Sequence, residues 1–585
     1  GSIGGSIMIN DVFGNPEVST LSEPFFAYSW WPAKDGDVLV PGDNSDKATM
    51  EFSITVPDTL TVASNGLLQS VETLSGDRKR YNWASDYPIA TYLVSFAASV
   101  YDTWTVDYVH PGGTMPVEFY VYPSWNTSGN RAQWEKCVNM LGTFRPLFGE
   151  YPFIDEKYGI YNFHFGGGME HQTMTGQGSF SEWLTAHELA HQWWGDMITC
   201  KTWNHIWLNE GFASYAEALW AENKPGSSGL PALKAEMDGM RYLGGGSVYV
   251  TDDEIADEVS SIWNIFSGAT SYNKGAWVLH MLRHVLGDDN FYDALAAYRT
   301  AYEFGAATTE DFQAVCEQFY DGGSLDWFFQ EWVYGEYVPD YAWGWDAVQV
   351  NGQDYLLVHI DQVQSVSVQR FIMPIDIVAD GMTYVVFNDN DPEHFVVPVP
   401  EPPTTVALDP DAWILWDSVT QTTYVPGPPT IVGTSPAPGE AAAFEDAIDA
   451  VTVTFHTNVD VLQSHFSLIG ARTGSKSFTI ASTSGVNPVT LNLSGPLAID
   501  MYTLTVTDGV TGTATGLALD GEVDDSVDPA SLPSGDGVAG GDAVIEFAVL
   551  GSIPAASEWG LIILTLLLFT TGTLILKPRR SAHAE

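Results

Sequence analysis

Basic residues are scarce in this chain. Its 585 residues include 22 Lys and Arg against 74 Asp and Glu, a formal net charge of −52. A protein that grips a nucleic-acid backbone needs a basic face to displace counterions, so that class is excluded. The same deficit argues against docking on anionic lipid headgroups. Cysteine is scarcer still: Cys137, Cys200 and Cys316 form no C-x-x-C pair. That excludes a disulfide framework and a Cys-type zinc site. Three buried free thiols are the expectation, with one structural bridge as the alternative. The opening residues GSIGGSIMINDVFG lack an initiator Met, a basic stretch and an apolar stretch. A chain that begins inside a longer protein is expected to look like this, as is one whose signal peptide has been removed. Apolar residues are not lacking. They make up 45% of the sequence and aromatics 13%, the composition of packed domains rather than of an acidic disordered chain. A chain of this length is expected to hold about three to five domains.

The pattern along the chain predicts an α+β multidomain protein. Residues 1–104 alternate apolar and polar in short runs such as MEFSITV and ATYLVSF, which reads as an N-terminal antiparallel β domain. Helical periodicity takes over within residues 105–340, as in the run from Ala276 to Leu282, ended by Gly287. Residues 341–423 return to strands and read as a β-sandwich, and the Pro-rich stretch 424–429 as a linker. Residues 430–548 are rich in Thr, Ser and Val with regular turn signals, which predicts a small Ig-like sandwich. In residues 549–585 an uncharged run, Gly560 to Leu576, is followed by Lys577, Arg579 and Arg580. That is the pattern of a short transmembrane helix with positive-inside anchors.

Chemistry concentrates in His187-Glu188-Leu189-Ala190-His191. On a helix, His187 and His191 share a face one turn apart and can bind one ion. Glu188 can then reach a water on that ion without being a ligand, which is the zincin arrangement. A possible capping box, Ser179 to Glu182, would open the helix. Eighteen residues lie between His191 and Glu210, enough for a return to an antiparallel helix opened by Glu210. That carboxylate completes a His₂Glu set for one Zn²⁺. Glu217, seven residues on, lies on the same face and is either an orienter of a ligand or an ordinary solvated helix residue. His280 and His284 are also one turn apart, but no Glu follows the first and no acidic motif lies downstream, so they read as core or surface histidines. Asp520, Glu522, Asp524 and Asp525, with Asp528 and Asp536, could take Ca²⁺, but they miss EF-hand spacing and a solvated acidic loop is the favoured reading.

Around these residues the chain resembles the aminopeptidase N and leukotriene-A-hydrolase family of gluzincin zinc peptidases. HELAHQWWGD, its spacing to WLNEGFASY, and Gly167-Gly168-Met169-Glu170-His171 carry the resemblance. It implies a thermolysin-like catalytic domain and hydrolysis of the first peptide bond of peptides with a free N-terminus. Glu170 would bind the substrate α-amino group, and Gly167, Gly168 and Met169 its backbone. His171 departs from the family's Asn at that place. Ser271-Tyr272-Asn273-Lys274-Gly275 resembles the segment whose Tyr stabilises the tetrahedral intermediate, which gives that role to Tyr272. Ser22 to Pro32 resembles the segment with a second amine-binding carboxylate, here Glu23. Residues 430–548 look like bacterial Ig-like domains. Ile553, Pro554 and Ser557 to Gly560, with the apolar run and basic tail, resemble an IPTL-type sorting signal. That resemblance implies export to the surface of a Gram-negative-type bacterium, a sorting-signal processing enzyme as partner, and membrane contact through the C-terminal helix. An inactive surface binding or adhesion protein and a zinc endopeptidase are the alternative readings.

Overall fold

The structure is a computed structural model and describes residues 7–551, apart from residue 13 and the segments 35–41, 257–259 and 524–530. The N-terminal region is all β. One sheet orders Ile7–Val12, Asn15–Thr20, Phe96–Ser99 and Thr61–Ser64, and a second pairs Ala48–Pro57, Arg78–Ile89 and Leu67–Leu74. Strand alternation turns Phe52, Ile54 and Val56 toward a small core with Tyr81 and Trp83, and leaves Ser53 and Thr55 exposed. The expected boundary at 104/105 falls inside a strand. Asp102–His110 pairs antiparallel with Gly113–Val121 along its whole length, so the next sheet begins at Asp102.

That sheet has five strands in the order Gly168–Met169, Thr175–Gln177, Tyr158–Asn162, Gly113–Val121 and Asp102–His110. Gly168–Met169 is therefore an edge strand. Helices pack behind it, centred on Glu182–Ala190, Trp207–Asn223 and Gly275–Leu286. Trp207–Asn223 is buried almost all round, as a helix apolar on every face should be. It crosses Gly275–Leu286 where two glycines meet: a Cβ on Gly211 would stand 2.9 Å from the Gly275 backbone. Only glycine allows that approach.

The helix carrying the two histidines starts one residue pair later than its expected cap. Ser181, not Ser179, is the N-cap, and its hydroxyl accepts from Leu184 N. Glu182 does not close a box. It pairs with Lys136 and Lys224 and accepts from Trp220 Nε1, which ties this helix to its neighbours. Glu210 likewise sits in the first turn of a helix that Trp207, rather than Glu210, opens.

Asp340–Val350, Gln353–Gln362, Glu393–Val399 and Ser418–Gln421 form one sheet of the next region, and Met373–Ala379, Met382–Asn388 and Val406–Leu408 another. A single apolar core runs from Val12 through the helices to Leu415. The Ig-like region, a four-stranded sheet beside a five-stranded one, has a separate core around Val451, Leu491 and Ile545. All three cysteines are buried and unpaired. Among the described residues no helix is long and apolar enough to cross a membrane. The expected transmembrane run and sorting signal, from Ile553 onward, lie outside the described residues.

Candidate active site

Helix periodicity and one return of the chain bring three ligand-type side chains together. His187 Nε2 and His191 Nε2 stand 3.1 Å apart, and Glu210 Oε2 is 3.2 Å from the first and 3.3 Å from the second. A tetrahedral ion with ligand bonds of 2.0–2.1 Å needs donor atoms about 3.3 Å apart, so the triangle is one face of such a tetrahedron. The outer ring nitrogens are also engaged. His187 Nδ1 is 3.0 Å from Glu217 Oε1, and His191 Nδ1 is 3.1 Å from the Trp194 carbonyl. Those acceptors favour the tautomers that leave both Nε2 lone pairs pointing inward. Two imidazoles and a carboxylate, nearly dry and converging on one point, fit Zn²⁺.

The carboxylate density is high. Burial would push Glu210 up, but His191 and His187 hold it down at about 2. Burial pushes Glu188 up to about 8 against the pull of the same two imidazoles. Glu188 lies against the edge strand so closely that a Cβ on Gly168 would come within 2.1 Å of its Oε1. Its Oε2 has no partner. Glu170 and Glu23 are further acids of the same cavity, each with Oε1 buried and unpartnered. Their ligand oxygens and that of Glu210 lie within 4.8 Å of one another. Burial raises both, and at Glu23 the neighbouring Glu170, Glu210, Glu188 and Asp196 add to it. Such a group calls for cations.

Tyr272 sits in a single π-helical stretch, Gly268–Lys274, a wide turn of the kind that re-aims a side chain at functional sites. Its ring stacks on His187 with centroids 5.8 Å apart and planes 8° from parallel. It lines a cavity of about 450 Å³ together with the histidines, Glu23, Glu170, Glu188, Glu210 and Glu217. Gly167, Gly168 and Met169 line it as well, along the edge strand.

Residues 170–332 match the peptidase family M1 domain, and residues 426–524 match a bacterial Ig-like domain. This chain contains a peptidase family M1 domain. Among curated proteins the M1 region is similar to aminopeptidase M1-B of Oryza sativa subsp. japonica, 29% identical over 46% of this chain and 32% of that protein. It is also similar to human aminopeptidase N, 29% identical over 43% of this chain and 29% of that protein. The chain thus spans about a third of the length of the curated relatives it matches. Among solved structures, the aminopeptidase A of Legionella pneumophila superposes over 72% of this chain and 49% of its own, with a TM-score of 0.58 and 18% identity, which shows a shared fold.

The metal, base, amine-binding, backbone-binding and oxyanion residues expected from the sequence all line this cavity. His171 does not line it: the ring is buried, stacks on Tyr161 and places Nδ1 3.0 Å from the Tyr161 hydroxyl, and burial pulls it down to about 3, so it is a neutral core residue. Gln192 was not foreseen. Its Nε2 donates to the Glu170 carbonyl (3.0 Å) and to Asp196 (2.7 Å), and its Oε1 accepts from Thr173 N (2.8 Å). Thr173 has φ of 65°, costly for a β-branched residue, and Gly66 N donates to its hydroxyl at 2.8 Å. Gln192 and Gly66 thus brace the turn that follows Glu170. The only signal was the place of Gln192 directly after the second histidine. Leu21, Phe165, Leu184 and Phe266 also line the cavity and were not foreseen, because they come from four separate segments.

In the Ig-like region Asp520, Glu522 and Asp536 come together, but Asp520 is buried rather than solvated. Its carboxylate accepts from Asp536 N (2.9 Å) and Gly537 N (3.1 Å), which makes it a loop tie. Asp524, Asp525 and Asp528 lie outside the described residues.

Proposed function

We propose that the chain is a zinc-dependent aminopeptidase that hydrolyses the first peptide bond of peptides with a free N-terminus. The observation that carries this reading is the pair of unpartnered carboxyls, Glu23 and Glu170, within 4.8 Å of the Glu210 ligand oxygen. In an N-terminal residue the amine and the carbonyl carbon are separated by two bonds, about 2.5 Å. An ammonium held by Glu23 and Glu170 therefore brings its own carbonyl to the His₂Glu centre. A residue further along the peptide would carry no ammonium to offer them.

His187, His191 and Glu210 would hold the zinc, which when bound polarises a carbonyl and makes water nucleophilic at neutral pH. Glu188 takes the proton of the attacking water and passes it to the leaving amine. Its carboxyl suits this exchange because burial weakens its acidity. The Tyr272 hydroxyl donates to the oxyanion that develops on the scissile carbonyl, a contribution of about 3–4 kcal/mol for such a donor. The open edge of Gly168–Met169 pairs with the peptide backbone, and Gly168 leaves room there for Glu188. Glu217 holds His187 in register. Export and handling at a cell surface rest on the C-terminal sequence pattern alone.

The test is Glu188→Ala. Zinc stays at one per chain by metal analysis, while release of a chromogenic amine from an aminoacyl amide falls by about 10²–10⁴. Wild-type turnover by this variant would refute the assignment.

A further inference from the structure

We propose that the site selects peptides whose N-terminal residue is large and apolar, and discriminates against both acidic and basic first residues. The proposal rests on the aminopeptidase reading and deepens it. Each carboxylate that lines the cavity has a neighbour or an assigned part in the reaction. Glu210 faces the two imidazoles, Glu217 faces His187, Glu188 lies on Gly168, and Glu23 with Glu170 awaits the α-ammonium. Apart from Tyr272 and the two glycines of the edge segment, what remains of the wall is Leu21, Phe165, Met169, Leu184 and Phe266.

These five side chains arise from the same segments that carry the chemistry. Leu21 is two residues before Glu23, Met169 directly precedes Glu170, and Leu184 lies one turn before His187 and Glu188 on their helix face. Phe266 precedes the turn of Tyr272 and packs edge-on against Trp203, with centroids 6.4 Å apart. Leu21 and Met169 are buried, and the other three are half-buried, as side chains that wait for an apolar group would be. At about 450 Å³ the cavity has the size of a small-molecule pocket, so a leucyl or phenylalanyl group fits inside it.

An acidic first residue would bring a sixth carboxylate among five, with no cation to meet it. Among the described residues no Lys or Arg lines the cavity. The half-buried Lys47 and the buried Lys157 and Lys274 of the surrounding shell all donate to backbone carbonyls: those of Asp196 and Met197, of Ser64 and Thr173, and of Gly246 and Gly335. With Glu23 and Glu170 taken by the α-ammonium and Glu188 by the attacking water, a lysyl or arginyl side chain against the apolar wall would have no further carboxylate of its own and would bury its charge against Leu and Phe side chains.

The experiment is a panel of aminoacyl amides with Leu, Met, Phe, Ala, Lys, Arg, Glu and Asp as acyl residue, run on the zinc-loaded full chain. The expected kcat/KM for Leu, Met and Phe exceeds that for Ala by about tenfold and that for the charged residues by about a hundredfold. Lys, Arg, Glu or Asp at or above Leu, or Ala equal to Leu, would overturn the proposal. Phe165→Arg supplies the missing cation and is expected to raise the Glu-to-Leu ratio about tenfold; an unchanged ratio in a folded, zinc-loaded variant counts against it. If no amide is cleaved by a zinc-loaded protein, the aminopeptidase reading fails. The pocket is then read separately by calorimetric binding of leucinamide and of glutamic acid α-amide to Glu188→Gln. Tighter leucinamide binding upholds the apolar pocket, and equal or weaker binding overturns it.

Discussion

Two helices of this protein each carry a pair of histidines one turn apart, and of these two pairs one converges with a carboxylate into a set that fits a metal ion. His187 and His191 turn their Nε2 atoms to 3.1 Å from each other and to 3.2 and 3.3 Å from a carboxylate of the facing helix. His280 and His284 have the same spacing, but an indole fills the space they face. Trp413 stacks on both rings, with centroids 4.8 and 5.2 Å away. His280 Nε2 stands 3.2 Å from the Ala412 carbonyl, and His284 faces Asp376 at 3.4 Å. Burial pulls His280 down to about 3, so it stays neutral. Spacing therefore makes a shared face, and the element packed opposite decides its use. Across from the first pair is Glu210, on a helix seated by the Gly211–Gly275 contact. Across from the second is a tryptophan loop of the next region.

The largest effect in breaking this contrast is expected from the facing carboxylates. Glu210→Ala should lose zinc and all hydrolysis, whereas Asp376→Ala should keep zinc at one per chain by metal analysis. Next is Tyr272→Phe, which removes one donor and leaves the His187 stack in place. It should lower kcat about 10²–10³-fold with little change in zinc content. Glu217→Ala should follow, with zinc affinity down about 10–100-fold in a competition titration against a chelator, because His187 loses the partner that orients it. The smallest effect on activity is expected from His280→Ala. It empties the place between Trp277 and Trp413, costs about 1–3 kcal/mol of stability in denaturant unfolding, and leaves kcat/KM unchanged.

The metal set was readable because its signal is local. Two histidines and Glu188 lie within a single helical turn, and Glu210 follows at a spacing that fits one helix return. Glu217 followed from helix periodicity. Glu23 is far from the rest in sequence and was reachable only through family resemblance, since nothing in its own segment shows that it meets Glu170. Gln192 and the wall residues Leu21, Phe165, Leu184 and Phe266 were not legible, because brace and pocket are made by convergence of separate segments. The same reason explains the misplaced cap and boundary. Ser181 and Ser179 both suit an N-cap, and packing of Glu182 against Lys136, Lys224 and Trp220 selects the later one. The strand Asp102–His110 continues the alternation of the N-terminal strands, and only its pairing with Gly113–Val121 shows which sheet it joins.

The central claim is that zinc at His187, His191 and Glu210 acts on a carbonyl positioned by its own free ammonium at Glu23 and Glu170. The direct measurement compares the zinc-loaded full chain on one peptide with a leucyl N-terminus, free and acetylated, by mass spectrometry of the products. The account predicts loss of the first residue from the free peptide and no cleavage of the acetylated one. Cleavage of both at an internal bond would contradict it.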